Sequence, residues 1–199
     1  MHPTALAALL ALALLSGCAR TVVVETQDTT YDPNDIDAQL DFWHEMPGRS
    51  AITNNEGVHG VILLIEGTDT TGSWENRLAY LDERGWLPET LRDDRPDVAM
   101  RRGVLASVLA RALSIEGGVM YELTGASPRY AYRELVYQGL MPSGSDQMVL
   151  DGVDFLGVIS KSEDRRQASI RTAEQEARAA EELDRPVEDV QRERDQIAR

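Results

Sequence analysis

The chain has 199 residues, 42% hydrophobic and 6% aromatic, with 34 acidic against 20 basic side chains and a formal net charge of −14. A surface this acidic repels phosphate backbones and argues against nucleic acid as a partner, and a single cysteine rules out any intramolecular disulfide. The charge is uneven: residues 21–66 carry nine acids against one base, whereas residues 164–199 carry ten against eight.

Residues 5–15 are an unbroken run of alanine and leucine, long enough for the core of an export signal but short of the roughly 20 residues that a membrane-spanning helix needs. The start, Met1-His2-Pro3-Thr4, lacks the basic residue that such signals carry. Behind the run, Leu15-Ser16-Gly17-Cys18 resembles the lipobox of bacterial lipoproteins. That resemblance implies a signal peptide over residues 1–17, acylation of Cys18 as the first residue of the mature chain and, because Ala19 rather than aspartate follows, an outer-membrane lipoprotein facing the periplasm. Two or more acyl chains hold a protein on a membrane without a spanning helix. Residues 18–31, with "TVVVETQDTT", read as a tether, or as a strand where another segment pairs with it.

From Asp32 onward one unit recurs. Asp32 and Pro33 stand as cap and first residue of a helix that Met46-Pro47 closes. Ser73 caps a second such helix, ended by Gly85 and Leu87-Pro88, and Ser127-Pro128 opens a third, ended by Gly139 and Met141-Pro142. Serine accepts a bond from the free N–H groups of a first turn, and proline there loses nothing by lacking its own. A shift of 54 residues superimposes Ser73 on Ser127, Leu81 on Leu135, Gly85 on Gly139 and Pro88 on Pro142. After each closing proline comes a polar loop and a second apolar segment: Val58, Val61, Ile62 and Ile65; then Leu105, Val108, Leu109, Ala112 and Leu113; then Phe155, Val158 and Ile159. Spacings of three and four place each set on one helical face. Thr53 with Glu56, and Asp151 with Asp154, have capping-box spacing. Arg101 with Val104 does not, so the middle helix needs a cap from elsewhere. The reading is an all-α fold in which three helix–loop–helix repeats over residues 32–163 share one core.

This organisation resembles the S-layer homology (SLH) domain, a bundle of three such repeats whose second helix opens on an "ITRAE"-like motif. Here "ITNNE" at residues 52–56 keeps the cap, "MRRGV" at residues 100–104 keeps Arg102 in the place of the family's arginine, and "LDGVD" at residues 150–154 has Gly152 there. The resemblance implies a groove near Arg102 that binds cell-wall polysaccharide. Trp86, Arg102, Arg129, Tyr132 and Arg133 are the candidate ligand-binding residues, with Tyr130 and Tyr137 in the same "PRYAYRELVY" stretch. Aromatic faces and forked guanidinium donors suit sugar rings and their carboxylates. Packing of Trp86 and at least two of these tyrosines in the core is the alternative, and Trp43 and Trp74 read as core or helix-end packing.

Nothing in the pattern points to catalysis, a metal or a cofactor. Metal ligation wants clustered ligands, and the mature chain has His44 and His59, fifteen residues apart. Gly117-Gly118 lack the lysine and Ser/Thr of a phosphate cradle and read as a helix end. Residues 164–199 form a charged helical or disordered tail with a thin stripe at Ile170, Ala173, Ala177 and Ala180, interrupted at Pro186. Two functions are expected from this layout: a non-catalytic, membrane-anchored module binding cell-wall polysaccharide or peptidoglycan, or an adaptor for another envelope protein.

Overall fold

The computed structural model describes residues 20–184. Cys18, the signal-peptide reading and Pro186 lie outside the described residues. The chain is all-α: among the described residues there are eight α-helices and one 3₁₀ turn, with only isolated β-bridges. No described helix is long and apolar enough to cross a membrane. One compact unit ends at Ile159 and a second begins at Ser160.

Helix α1 spans Ile36–Glu45 and runs into the 3₁₀ turn Met46–Gly48; α2 spans Asn54–Glu66, α3 Trp74–Glu83 and α4 Glu89–Arg92. Then follow α5 (Arg102–Ala112), α6 (Val119–Leu123), α7 (Pro128–Tyr137) and α8 (Gly152–Asp184). The short α4 and α6 are additions to the expected pairs.

The helix ends follow local chemistry. Ser73 Oγ accepts from Asn76 N at 3.2 Å, and Thr53 with Glu56 forms the full capping box. Pro128 starts α7 as expected, but Ser127 makes no cap bond and its hydroxyl donates to Thr124 instead. The start of α1 also departs from the sequence reading. Asp32 accepts from Asn34 N in a tight turn, and the cap is Asp35, which accepts from Ala38 N at 3.0 Å. An aspartate side chain can fold onto either structure, and here the first turn takes Asp32. Helices α3 and α7 end identically at the 54-residue shift. Trp86 N and Leu140 N donate to Leu81 O and Leu135 O, while Gly85 and Gly139 adopt φ of +70° and +76°. These are Schellman terminations, where glycine takes the left-handed position without penalty.

The segments leading into α2, α5 and α8 meet in a closed ring. Ile52 N donates to Leu150 O, Leu150 N to Met100 O and Met100 N to Ile52 O, at 2.8–3.0 Å, and all three side chains are fully buried. A second set runs round the opposite way from the first residue of each helix: Asn54 N to Val98 O, Arg102 N to Met148 O, and Gly152 N to Arg49 O. Helix starts leave N–H groups without intrahelical partners, and here neighbouring segments supply the acceptors. That answers the missing cap of α5: Arg101 offers the helix no side-chain capping bond, and Met148 O and Asp146 O take the N–H groups of Arg102 and Gly103. Gly152 is required at its place, because a Cβ there would stand 1.6 Å from Met46 O. Around the ring pack Phe42, Met46, Ile62, Leu81, Leu105, Leu109, Leu135 and Phe155, each 3% exposed or less. Trp74 is buried, and Trp43 stacks on Phe155.

Residues 20–31 do not hang free as a tether: they lie along the domain. Val22 bridges Val98, Gln27 N donates to the buried Glu56 carboxylate at 2.8 Å, and Thr29 is 4% exposed. In the second unit α8 continues with almost every described side chain exposed, the Ile170 and alanine stripe included. It is supported there by local bonds such as Gln167 to Glu163.

Candidate functional site

Helix α7 turns Ala131, Tyr132 and Leu135 into the core, which leaves Tyr130, Arg133, Glu134 and Tyr137 on the opposite face at helical spacing. Against that face stands α6, whose Tyr121 is buried while Val119, Met120 and Leu123 are 83%, 46% and 76% exposed. Between them lies an open trough of about 420 Å³, lined by Gly118, Val119, Met120, Tyr121, Tyr130, Arg133, Glu134 and Tyr137. Its far end is held from α5: Ser107 Oγ donates to Ala126 O at 2.5 Å and Arg111 to Gly125 O at 2.6 Å. Burial pushes the Arg111 guanidinium down and the Tyr121 phenol up from their ordinary pKa values. Tyr137 is 86% exposed, and the exposed Arg133 guanidinium makes neither hydrogen bond nor ion pair among the described residues. Three phenol rings and an unoccupied guanidinium therefore face one opening.

The chain matches no protein-family model, no curated protein and no solved structure.

Of the five residues expected to bind ligand, only Arg133 lines this trough. Arg129 is exposed one residue before Tyr130, outside the lining. Tyr132 is buried, and its hydroxyl donates to Pro142 O at 2.9 Å, tying α7 to the loop that follows. Trp86 is half-buried in a separate cluster, where the Arg84 guanidinium lies 3.9 Å from the Tyr80 ring centre and 5.6 Å from that of Trp86. Arg102 does not open onto a groove. It is 7% exposed, ion-paired with Asp154 of α8 and bonded to Ser143 O at 3.4 Å. The Asp154 expected to complete a capping box is used for that pair instead, and Asp151 alone caps α8, accepting from Asp154 N at 2.7 Å.

A second cluster was not legible from spacing. Arg77 on α3 is fully buried. Its Nε donates to Asp69 Oδ2 at 2.7 Å, one terminal nitrogen to Thr29 Oγ1 and Asn55 Oδ1, and the other to Thr29 O at 2.5 Å. His59 on α2 is 1% exposed, with Nδ1 2.6 Å from Asp69 Oδ2 and Nε2 2.7 Å from the Tyr31 hydroxyl. A carboxylate only accepts, so Nδ1 carries the proton and Tyr31 donates to Nε2. Burial pushes His59 down from the ordinary imidazole value and Tyr31 up to about 12. Burial also pushes Asp69 up, but bonds from His59 and Thr71 and the Arg77 charge outweigh it, leaving the carboxyl well below its usual range.

The order hydroxyl, imidazole, carboxylate is that of an activated nucleophile. Here, however, the phenol holds its proton through the neutral range, and the small cavity beside it, about 210 Å³, is lined by Asp28, Asp41 and Glu45. Negative charge there opposes a phenolate. The arrangement acts as a clasp between residues 29–31 and helices α2 and α3. Among the described residues no group of three or more His, Cys, Asp or Glu could hold a metal ion.

Proposed function

We propose that this protein is a non-catalytic envelope lipoprotein, held on the outer membrane through acylated Cys18. In this reading an SLH-like bundle binds cell-wall polysaccharide or peptidoglycan in the trough between α6 and α7. The observation that carries the reading is the trough itself, with Tyr121, Tyr130 and Tyr137 beside an Arg133 that no other described group engages. Phenol rings offer flat apolar faces to sugar rings, and a guanidinium takes a carboxylate with two parallel bonds. The closed ring at Ile52, Met100 and Leu150 supports the three-repeat reading, since each pair contributes one corner in the same way.

Co-sedimentation of the unlipidated protein with purified sacculi tests the proposal. Retention that is lost in Tyr137→Ala and in Arg133→Ala is the expected result. Absence of retention, or retention equal in both variants, overturns it. Mass spectrometry of the protein extracted from its own membranes tests the anchor: a diacylglyceryl adduct on Cys18 is expected, and an intact leader overturns that part.

The exposed aliphatic side chains of α6, Val119, Met120 and Leu123, favour the adaptor as the second reading. Apolar patches rimmed by polar residues mark protein contacts. Recovery of one stoichiometric envelope protein by the wild type, and not by Leu123→Ser, would select it.

A further inference from the structure

We propose that residues 20–31 form a strap that acid releases from the domain through protonation of His59, converting a docked segment into added tether length. The docking is built mainly on polar contacts. Arg20 pairs with Asp94, Thr21 O accepts from Ala99 N, Val23 N donates to Asp97 O, and Gln27 N donates to Glu56. The anchoring end is Thr29 and Tyr31 over Arg77 and His59. Little apolar surface is involved, since Val22 is 46% and Val24 93% exposed, and segments that bury little open at low cost.

The charged groups around His59 come from every side. Asp69 in the α2–α3 turn accepts from its Nδ1, the Arg77 guanidinium of α3 approaches to 3.2 Å, and Tyr31 of the strap bonds its Nε2. Asp28, also on the strap, acts at longer range, while α1 presents the Phe42 ring edge-on at 4.7 Å. With the strap in place, an added proton puts a second positive charge beside Arg77 in a site shut off from water. With the strap gone, that imidazolium is hydrated, while Asp69 and Arg77 keep their own 2.7 Å bond. The open form therefore binds the proton more tightly than the closed form, and acid selects it. In an anchored chain, a released segment of twelve residues spans up to about 40 Å at ~3.3 Å per residue. That consequence rests on the Cys18 reading, whereas the release does not.

Hydrogen-exchange protection factors for the Val23 and Gln27 amides, measured on the full mature chain from pH 7.5 to 5.5, test the release. Protection is expected to fall by up to tenfold per pH unit below about 6.5 and to lie well below that of the α5 amides, which open only with the whole domain, at every pH. His59→Gln should flatten the slope, and His44→Gln, at an exposed position, should leave it. Tyr31→Phe should lower protection about fivefold at every pH, the value of one net hydrogen bond, and keep the slope. Constant protection in the wild type, a slope that survives in His59→Gln, or strap protection equal to that of the α5 amides throughout overturns the proposal. The wild-type and His44→Gln curves decide it even where His59→Gln does not fold. The Cys18 mass measurement is independent, so a failed anchor and a failed strap give different results.

Discussion

The ring at Ile52, Met100 and Leu150 and the clasp at His59 each join three stretches of chain, yet they are made of different material. The ring uses backbone N–H and C=O groups, which carry no charge at any ordinary pH, under side chains with no exposure. The clasp uses a buried arginine, aspartate and histidine and a partly buried tyrosine. Backbone pairing answers an obligation that every buried residue has. Side-chain pairing of buried charges is costly to break and open to titration. The fold thus has an insensitive centre and a proton-sensitive edge, and the edge holds the N-terminal segment.

The largest effect is expected from removing one half of the clasp's ion pair. Arg77→Ala takes from the buried Asp69 carboxylate its cationic partner and from the Thr29 carbonyl its donor, and loss of about 3–5 kcal/mol is expected from denaturant unfolding. At the ring, Gly152→Ala forces a Cβ against the Met46 carbonyl, backbone that cannot step aside. A loss of about 3 kcal/mol is expected, read in the same way.

A change of pH separates the two regions without mutation. His59 has a lowered pKa when folded, so below about 6.5 the unfolded chain takes up the proton first and stability falls. Asp69, also lowered, contributes stability above about 3.9 that is lost in stronger acid. Tyr31, raised to about 12, costs stability as pH climbs past about 10, where the unfolded phenol ionises first. The Tm should therefore form a plateau between these limits, and His59→Gln should extend it on the acid side. The smallest effect belongs to neither region. Tyr137→Ala removes an exposed ring, and its Tm should stay within the equivalent of about 0.5 kcal/mol of wild type.

Much of this was legible because it is local. Apolar residues three and four apart announce α2 and α5 as helices, though the fold buries both almost all round rather than on the one expected face, and the Thr53–Glu56 box acts within a single turn. The glycines at positions 85 and 139 end their helices by the same bonds because the residues around them are alike. The trough was half legible: Tyr130, Arg133 and Tyr137 share a helix, but Tyr121 and Met120 reach them from α6, a short helix that the glycines before it announce only as a turn. Arg102 shows the converse. Its motif position suggested a ligand, and a partner 52 residues further along took it instead.

Sequence alone determined the helical class, the positions of the longer helices and several of their ends, since each of these depends on groups within about four residues of one another. The tertiary structure decided what the free ends bond to. It supplied Met148 O and Asp146 O as caps for α5, laid residues 20–31 against the domain, and brought Tyr31, His59, Asp69 and Arg77 together. Such partners lie far apart along the chain, and their pairing follows from how the helices pack and exclude water, which no local pattern encodes.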